Sequence, residues 1–184
     1  MTELETERLR LRLPRLEDAE PFLALHSDPE AMRYLGGIHP DIADDPAYPI
    51  RRWLDRWNAN GFGQFVAERR DNGAVVGRVG FVVWDTRDWR IATIAEAGEH
   101  AQPELGWALV PAHWGLGYAT EAAIAVRQWA RREHGIEHLI SVIAPDNVRS
   151  QRVAEKLGCA PTVTVVLAEV GLPAVIWEHP ATGV

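Results

Sequence analysis

The chain has 184 residues, 47% of them hydrophobic and 24% charged, with a formal net charge of −7. That length suits one domain, residues 1–184, with a sizeable core, and the acidic balance argues against a nucleic-acid or anionic-membrane partner, which would need a basic face. A single cysteine, Cys159, leaves no intramolecular disulfide and no multi-cysteine metal site; with neither a leader pattern nor an apolar run near the roughly 18 residues of a membrane helix, a cytoplasmic protein is expected.

Residues 7–13, Glu-Arg-Leu-Arg-Leu-Arg-Leu, alternate polar and apolar, which predicts a half-buried strand with leucines inward and Arg8, Arg10 and Arg12 outward. Residues 16–27 read as an amphipathic helix through Leu16, Ala19, Phe22, Leu23 and Leu25-His26, and a short helix over 29–35 stops at Gly36-Gly37. The Asp- and Pro-rich segment from His39 to Pro49 reads as a loop, and 50–59 as a helix ending at Gly61. Strand-like runs over 64–70 and 74–84 flank Asp71-Asn72-Gly73, a strong hairpin signal. Segment 85–103 is polar and reads as an irregular surface connection.

A strand over 104–109 leads through a glycine turn into a helix that runs to about Glu133. Ala119, Ala122, Ala123, Val126, Trp129 and Ala130 lie on its buried stripe, with Arg127, Gln128, Arg131 and Arg132 mostly opposite. A strand over 138–144, a helix over 150–157 ending at Gly158, and a hairpin of 163–168 with 174–177 complete the chain. This order predicts one parallel βαβ unit set in an otherwise antiparallel sheet. Eight tryptophans are many for this length; most should be packing residues, with the remainder free to line a cleft.

The glycine turn carries chemistry. Gly115-x-Gly117 opens a helix directly after a strand, which exposes backbone N–H groups at the positive end of a helix dipole, an arrangement that binds phosphate. Thr120 stands where a dinucleotide fingerprint has its third glycine, and no repeated βαβ series follows.

Around this turn the run Glu104-Leu105-Gly106-Trp107, then Pro111-x-x-Trp114-Gly115-x-Gly117-Tyr118-Ala119-Thr120-Glu121-Ala122, resembles the acyl-CoA-binding core of the GNAT N-acetyltransferases. Pro145-Asp146-Asn147-Val148-Arg149-Ser150, Glu155-Lys156-Leu157-Gly158-Cys159, the N-terminal Thr6-Glu7-Arg8-Leu9-x-Leu11-Arg12 and His26-Ser27-Asp28-Pro29-Glu30 are similar to its RimJ/RimL branch of ribosomal-protein N-terminal acetyltransferases. The resemblance implies an α+β fold: a mixed, mostly antiparallel twisted sheet with one parallel βαβ unit around a V-shaped acyl-CoA cleft, and helices on both faces. It implies an enzyme that moves the acetyl group of acetyl-CoA to a primary amine in a ternary complex, without a metal. The acceptor is a protein N-terminus or a small molecule, and the protein a monomer or homodimer.

The resemblance also assigns residues. Backbone groups of Leu109 and Val110 would pair with the pantetheine arm, and the amides of Trp114, Gly115, Leu116, Gly117, Tyr118, Ala119 and Thr120 would hold the pyrophosphate, with Asn147 and Ser150 on the cofactor arm. Glu104 is the first choice for general base, against a structural strand-end carboxylate; Glu96, Glu99 and His100 are alternatives, and His113 reads as surface or capping. A Tyr that serves as acid in many relatives is Ala154 here, so Ser150 is the candidate acid, a role that can coexist with capping its helix. Leu116 and Ala112 replace residues often basic or polar in relatives, which leaves Arg149 or Arg152 near the adenosine phosphate. Cys159 reads as a packed hydrophobe. Tyr34, Trp53 and Trp57 are candidate cleft residues, and the acidic net charge favours a cationic acceptor through steering. The missing Tyr motivates a second reading, an acyl-CoA-binding sensor with little catalysis.

Overall fold

In the computed structural model, which describes residues 2–38 and 40–181, nine strands form one sheet among the described residues. They are β1 (Glu3–Glu5), β2 (Leu9–Arg12), β3 (Gln64–Arg69), β4 (Val75–Asp85), β5 (Arg90–Ala92), β6 (Ala101–Leu109), β7 (Ile140–Ile143), β8 (Ala160–Leu167) and β9 (Leu172–Glu178). The order is β1-β2-β3-β4-β6-β7-β9-β8, with β5 also on β4. All these pairings are antiparallel except β6–β7, which is parallel and holds register at Glu104↔Ile140. The helices are α1 (Ala19–His26), α2 (Pro29–Met32), α3 (Asp41–Asp44), α4 (Tyr48–Asn60), α5 (Ile94–Ala97), α6 (Tyr118–His134) and α7 (Val148–Lys156). Helix α6 joins β6 to β7, so the expected parallel unit in a mixed sheet is present.

Each face of the sheet buries a different set of residues. On one, Leu9, Leu11, Phe65, Val79, Phe81 and Leu105 pack against Ala122, Ala123, Val126, Trp129 and Ala130 of α6, where the alanines let the helix lie close. On the other, Phe22, Leu25, Ile50 and Trp53 from α1 and α4 cover Val66 and Ala108, while Trp84, Ile140 and Ile176 cluster farther along. A bulge in β4 sets which side chains reach this second face. Ala67 faces Gly77 and Glu68 faces Val75, so Val76 is the extra residue. Gly77 has φ +149°, and a Cβ there would stand 2.3 Å from the Ala108 carbonyl, so only glycine fits. Past the bulge, Arg78, Gly80, Val82 and Trp84 share the face away from α6.

The structure corrects several expectations. Arg12 does not face solvent: its guanidinium is buried against Asp18 (2.5 Å) and Glu68, because the turn at 16–18 folds down over that face of β2. Arg127 is buried as well, since its Nη1 donates to the Leu157 carbonyl (2.7 Å) at the C-terminal end of α7, where cations are favoured. Segment 39–49 holds α3 and the start of α4 rather than only loop; His39 itself lies outside the described residues. Segment 85–103 contains β5, α5 and the start of β6; α1 begins only at Ala19, after a turn on which Leu16 is exposed, and Leu23 within α1 is exposed as well.

The Arg12 network generates a stability prediction. Arg12→Met leaves the buried Asp18 without its cation and Glu68 with Arg10 alone, and should cost about 3–5 kcal/mol at pH 7 in denaturant unfolding. Glu68 has its pKa lowered by its hydrogen bonds to Arg12 and Arg10, against the opposing effect of burial. It therefore stabilises the wild type above its unfolded value of about 4.3 and loses that contribution as pH falls through the lower folded value. The gap between wild type and variant should narrow across that window; a gap independent of pH would contradict the assignment.

Candidate active site

Strands β6 and β7 part after one register pair, and side chains satisfy the groups left at the fork. The Ser141 hydroxyl donates to the Leu105 carbonyl (2.6 Å), and the Glu104 Oε1 accepts from the Val142 N–H (3.3 Å). Behind Ser141, His179 Nε2 lies 3.0 Å from Oγ, and Arg127 Nη1 lies 3.4 Å from His179 Nδ1. With the hydroxyl committed to Leu105, the consistent assignment has Nε2–H donating to Ser141 and Nδ1 accepting from Arg127. Burial pushes His179 down to about 3, so it stays neutral in this role.

Glu104 stands at that fork on the face away from α6. Its Oε2 accepts from Trp84 Nε1–H (2.5 Å). Burial raises its pKa, against the Trp84 and Val142 hydrogen bonds and the charges of Arg78 and Arg56, which lower it. A carboxylate held by two donors, half open to solvent and raised in pKa is equipped to take a proton. The alternatives are placed elsewhere. Glu96 closes a capping box on Thr93, which lowers its pKa, and the Glu99 side chain is almost wholly exposed beside His100. His113 packs near Tyr118 (ring centroids 6.2 Å).

The glycine turn lies past the end of β6. Glu121 is the first residue after Trp114 whose N–H finds a backbone carbonyl, that of Gly117 (3.1 Å); among the described residues those of 115–120 donate to no protein acceptor. Gly117 has φ +84°, a left-handed conformation that turns these amides toward one side of the helix start. The turn is pinned from β2: Arg8 donates to the Leu116 carbonyl (2.9 Å), pairs with Glu121 (2.6 Å) and lies 4.6 Å over the Tyr118 ring. Six unpartnered N–H groups at the N-terminus of a 17-residue helix form a cradle that fits a pyrophosphate.

The open edge of β6 is built differently from expectation. Val110 N–H bonds the Val76 carbonyl (2.9 Å), so Val110 faces β4 rather than the cleft. Leu105 presents its carbonyl to the β7 side, and the period of two puts the backbone of Trp107 and Leu109 on that edge too. The Leu109 carbonyl is taken by Trp114 Nε1–H (2.7 Å), which leaves the Leu109 N–H and the backbone of Trp107, missed in the sequence, on the open edge. The alternation of β6 could have identified it. Across the gap, the Asn147 carbonyl oxygen caps α7 by accepting from Ser150 N–H (3.2 Å). Among the described residues its NH₂ group and the Ser150 hydroxyl have no hydrogen-bond partner within the protein. Arg149 lies 4.4 Å over Trp114 and pairs with Glu30 (2.6 Å), while Arg152 is exposed. Ala154 is fully buried, and its methyl group offers no proton donor to the cleft. Burial pushes the Cys159 thiol up to about 11, in keeping with a packing role.

The cleft candidates divide. Tyr34 donates to the Asp146 carbonyl (3.3 Å) beside the α7 cap. Trp53 is buried against Phe22, with the Arg78 guanidinium 5.7 Å from its ring. Trp57 is not a cleft residue: its indole donates to the Gln64 carbonyl (2.8 Å) and it packs on Phe65 and Trp129, because α4 crosses the sheet end where Gly63 leaves room.

Residues 8–160 match the family described as "Acetyltransferase (GNAT) domain". The chain belongs to the GNAT family. The uncharacterized N-acetyltransferase YoaA of Bacillus subtilis (strain 168) is 28% identical over 84% of this chain and 81% of its own. The acetyltransferase from Agrobacterium tumefaciens str. C58 superposes with a TM-score of 0.78 at 24% identity, covering 98% of this chain and 95% of that one. RimL, a ribosomal L7/L12 alpha-N-protein acetyltransferase, shares the fold at a TM-score of 0.74 and 12% identity, covering 97% and 93%. This GNAT protein is an acetyltransferase of a family that uses acetyl-CoA, with RimL-like architecture. No helix among the described residues is long and apolar enough to cross a membrane.

Replacing Gly117 tests the cradle. Gly117→Val places a β-branched residue at φ +84°, strained by about 1–2 kcal/mol, and sets a Cβ against the Arg8 guanidinium (3.3 Å). CoA affinity measured by calorimetry should fall at least tenfold while the fold persists by circular dichroism; undiminished affinity would exclude the turn as the phosphate site.

Proposed function

We propose that the protein, read as one catalytic domain over residues 1–184, transfers the acetyl group of acetyl-CoA to a primary amine by direct attack in a ternary complex, with Glu104 as general base. The observation that carries this reading is the place of Glu104 at the fork, opposite the face that α6 covers. Bound acetyl-CoA supplies an acyl group activated as a thioester. The amides of 115–120 hold its pyrophosphate, and the Trp107 backbone and the Asn147 NH₂ group line the channel.

A primary amine with a pKa of about 8 (α-amino) to about 10.4 (lysine-like) is mostly protonated at neutral pH, and only its free base attacks. Glu104 accepts that proton, directly or through water, and its raised pKa narrows the mismatch with the amine. Trp84 and Val142 fix the carboxylate so that little reorganisation is needed. On the leaving side, the Ser150 hydroxyl is the donor nearest in role to the absent Tyr, since Ala154 is enclosed in the core.

Glu104→Gln is the direct test. Wild-type kcat/KM should rise with pH through the Glu104 limb, placed above the ordinary carboxylate range of about 4.3, because the base works only when deprotonated. The variant should lose that limb, keep the limb of the acceptor amine, and lose about 10²–10⁴ in kcat. An unaltered profile would remove Glu104 as base. Tight acetyl-CoA binding without thiol release on any amine would favour a sensor instead.

A further inference from the structure

On the face that carries Glu104, the sheet holds positive charge that no carboxylate pairs with. β4 presents Arg78, Gly80 and Val82 there, opposite Ala108, Gly106 and Glu104 of β6, in the register Arg78↔Ala108, Gly80↔Gly106 and Val82↔Glu104. The facing glycines leave a stretch of floor without side chains. Arg78 and Trp53 close one end, and Glu104 with Trp84 closes the other. Four residue steps along the strand separate Arg78 from the position opposite Glu104, about 13 Å of backbone, which suits a small molecule.

Many arginines elsewhere, among them Arg8, Arg12, Arg87 and Arg149, pair with carboxylates, while Arg127 and Arg52 bond neutral oxygens outside this face. The two in this cleft pair with no carboxylate. The Arg78 guanidinium donates to the neutral Gln64 Oε1 (3.0 Å), and Arg56 of α4 makes no hydrogen bond or ion pair among the described residues. Both are partly buried, and burial is the largest influence on each. Both feel Glu104, and Arg78 also feels Arg56; Arg56 lies within electrostatic reach of Glu169, whose Oε1 accepts from Ile91 N–H. Two guanidinium groups thus bear on the one carboxylate that must stay available to the amine. The site is short of an anion, and it retains two forks of N–H donors suited to planar or tetrahedral oxyanions.

We propose that the acceptor is a small amine that also bears an anionic oxygen group, a carboxylate or a phosphate, held by Arg78 and Arg56 while its amine reaches Glu104. This rests on the acetyl-transfer reading above and reverses the cationic acceptor suggested by net charge.

The test is thiol release from acetyl-CoA on matched amines: glycine, β-alanine and glutamate against their carboxamides, 2-aminoethyl phosphate against ethanolamine, and spermidine as a cation. The charged members should exceed their neutral partners in kcat/KM by at least about tenfold, as a charged hydrogen bond supports. The carboxylate and phosphate arms show which oxyanion is preferred. Arg78→Gln and, independently, Arg56→Gln on α4 should bring that ratio toward one, chiefly through KM. Calorimetry of CoA-loaded protein with glutarate and with inorganic phosphate reads the anion site without turnover. Equal turnover of acids, amides and spermidine, unaffected by either variant, would overturn the proposal and leave acetyl transfer standing. No turnover on any amine, with glutarate bound by wild type and lost in both variants, would overturn acetyl transfer and leave the anion site standing.

Discussion

The parting of β6 and β7 is the constraint on which the rest of the site depends. Parallel strands normally continue their ladder, and each buried backbone group left without a partner costs about 1–3 kcal/mol. Here two side chains replace the missing ladder at the point of divergence, Ser141 on the Leu105 carbonyl and Glu104 on the Val142 N–H. The support for Ser141 runs back through neutral His179 to Arg127 on α6, so the helix that begins at the glycine turn also braces the fork. An opening maintained in this way is part of the packed core, and a ligand arm can enter it without melting the sheet.

With the proposed role as base, that construction gives Glu104 two duties that pull against each other. As a fork residue it is best ionised, since both of its donors favour the carboxylate. As a base it gains from desolvation, which raises its pKa and is the largest influence on it. The compromise is a carboxylate fixed in place yet readily protonated, and the guanidinium groups of Arg78 and Arg56 keep it from becoming a permanent neutral acid.

The sequence made the local rules visible and hid what covers each face. Asp71-Asn72-Gly73, the α6 stripe of alanines and the Gly115-x-Gly117 turn were readable because each is set by neighbours within a few residues. Alternation in 7–13 identified the strand, but the burial of Arg12 depends on Asp18 folding over it, a tertiary event. Arg127 lies on the edge of the α6 stripe by spacing alone, and only the docking of α7 brings the Leu157 carbonyl to it. Trp53 and Trp57 share helical spacing yet serve different layers, because α4 crosses the end of the sheet rather than lying along it. Val110 differs from expectation for a simpler reason: the strand period of two turns its backbone toward β4, where its N–H meets the Val76 carbonyl.

Net charge and the proposed acceptor site point to opposite signs for a related reason. A total of −7 is spread over an exposed surface where ions screen each carboxylate within about 8–10 Å. The cleft is bounded by protein on several sides, so two unpaired guanidinium groups there act over short distances in a poorly screened medium. On the proposed reading, the acceptor encounters a weakly repulsive or attractive exterior according to its own charge, then a floor whose field is set by Arg78, Arg56 and Glu104 with Arg52 and Glu169 close by. Steering and recognition need not carry the same sign. The local residues decide recognition, because they are the ones whose hydration is already reduced before the acceptor arrives.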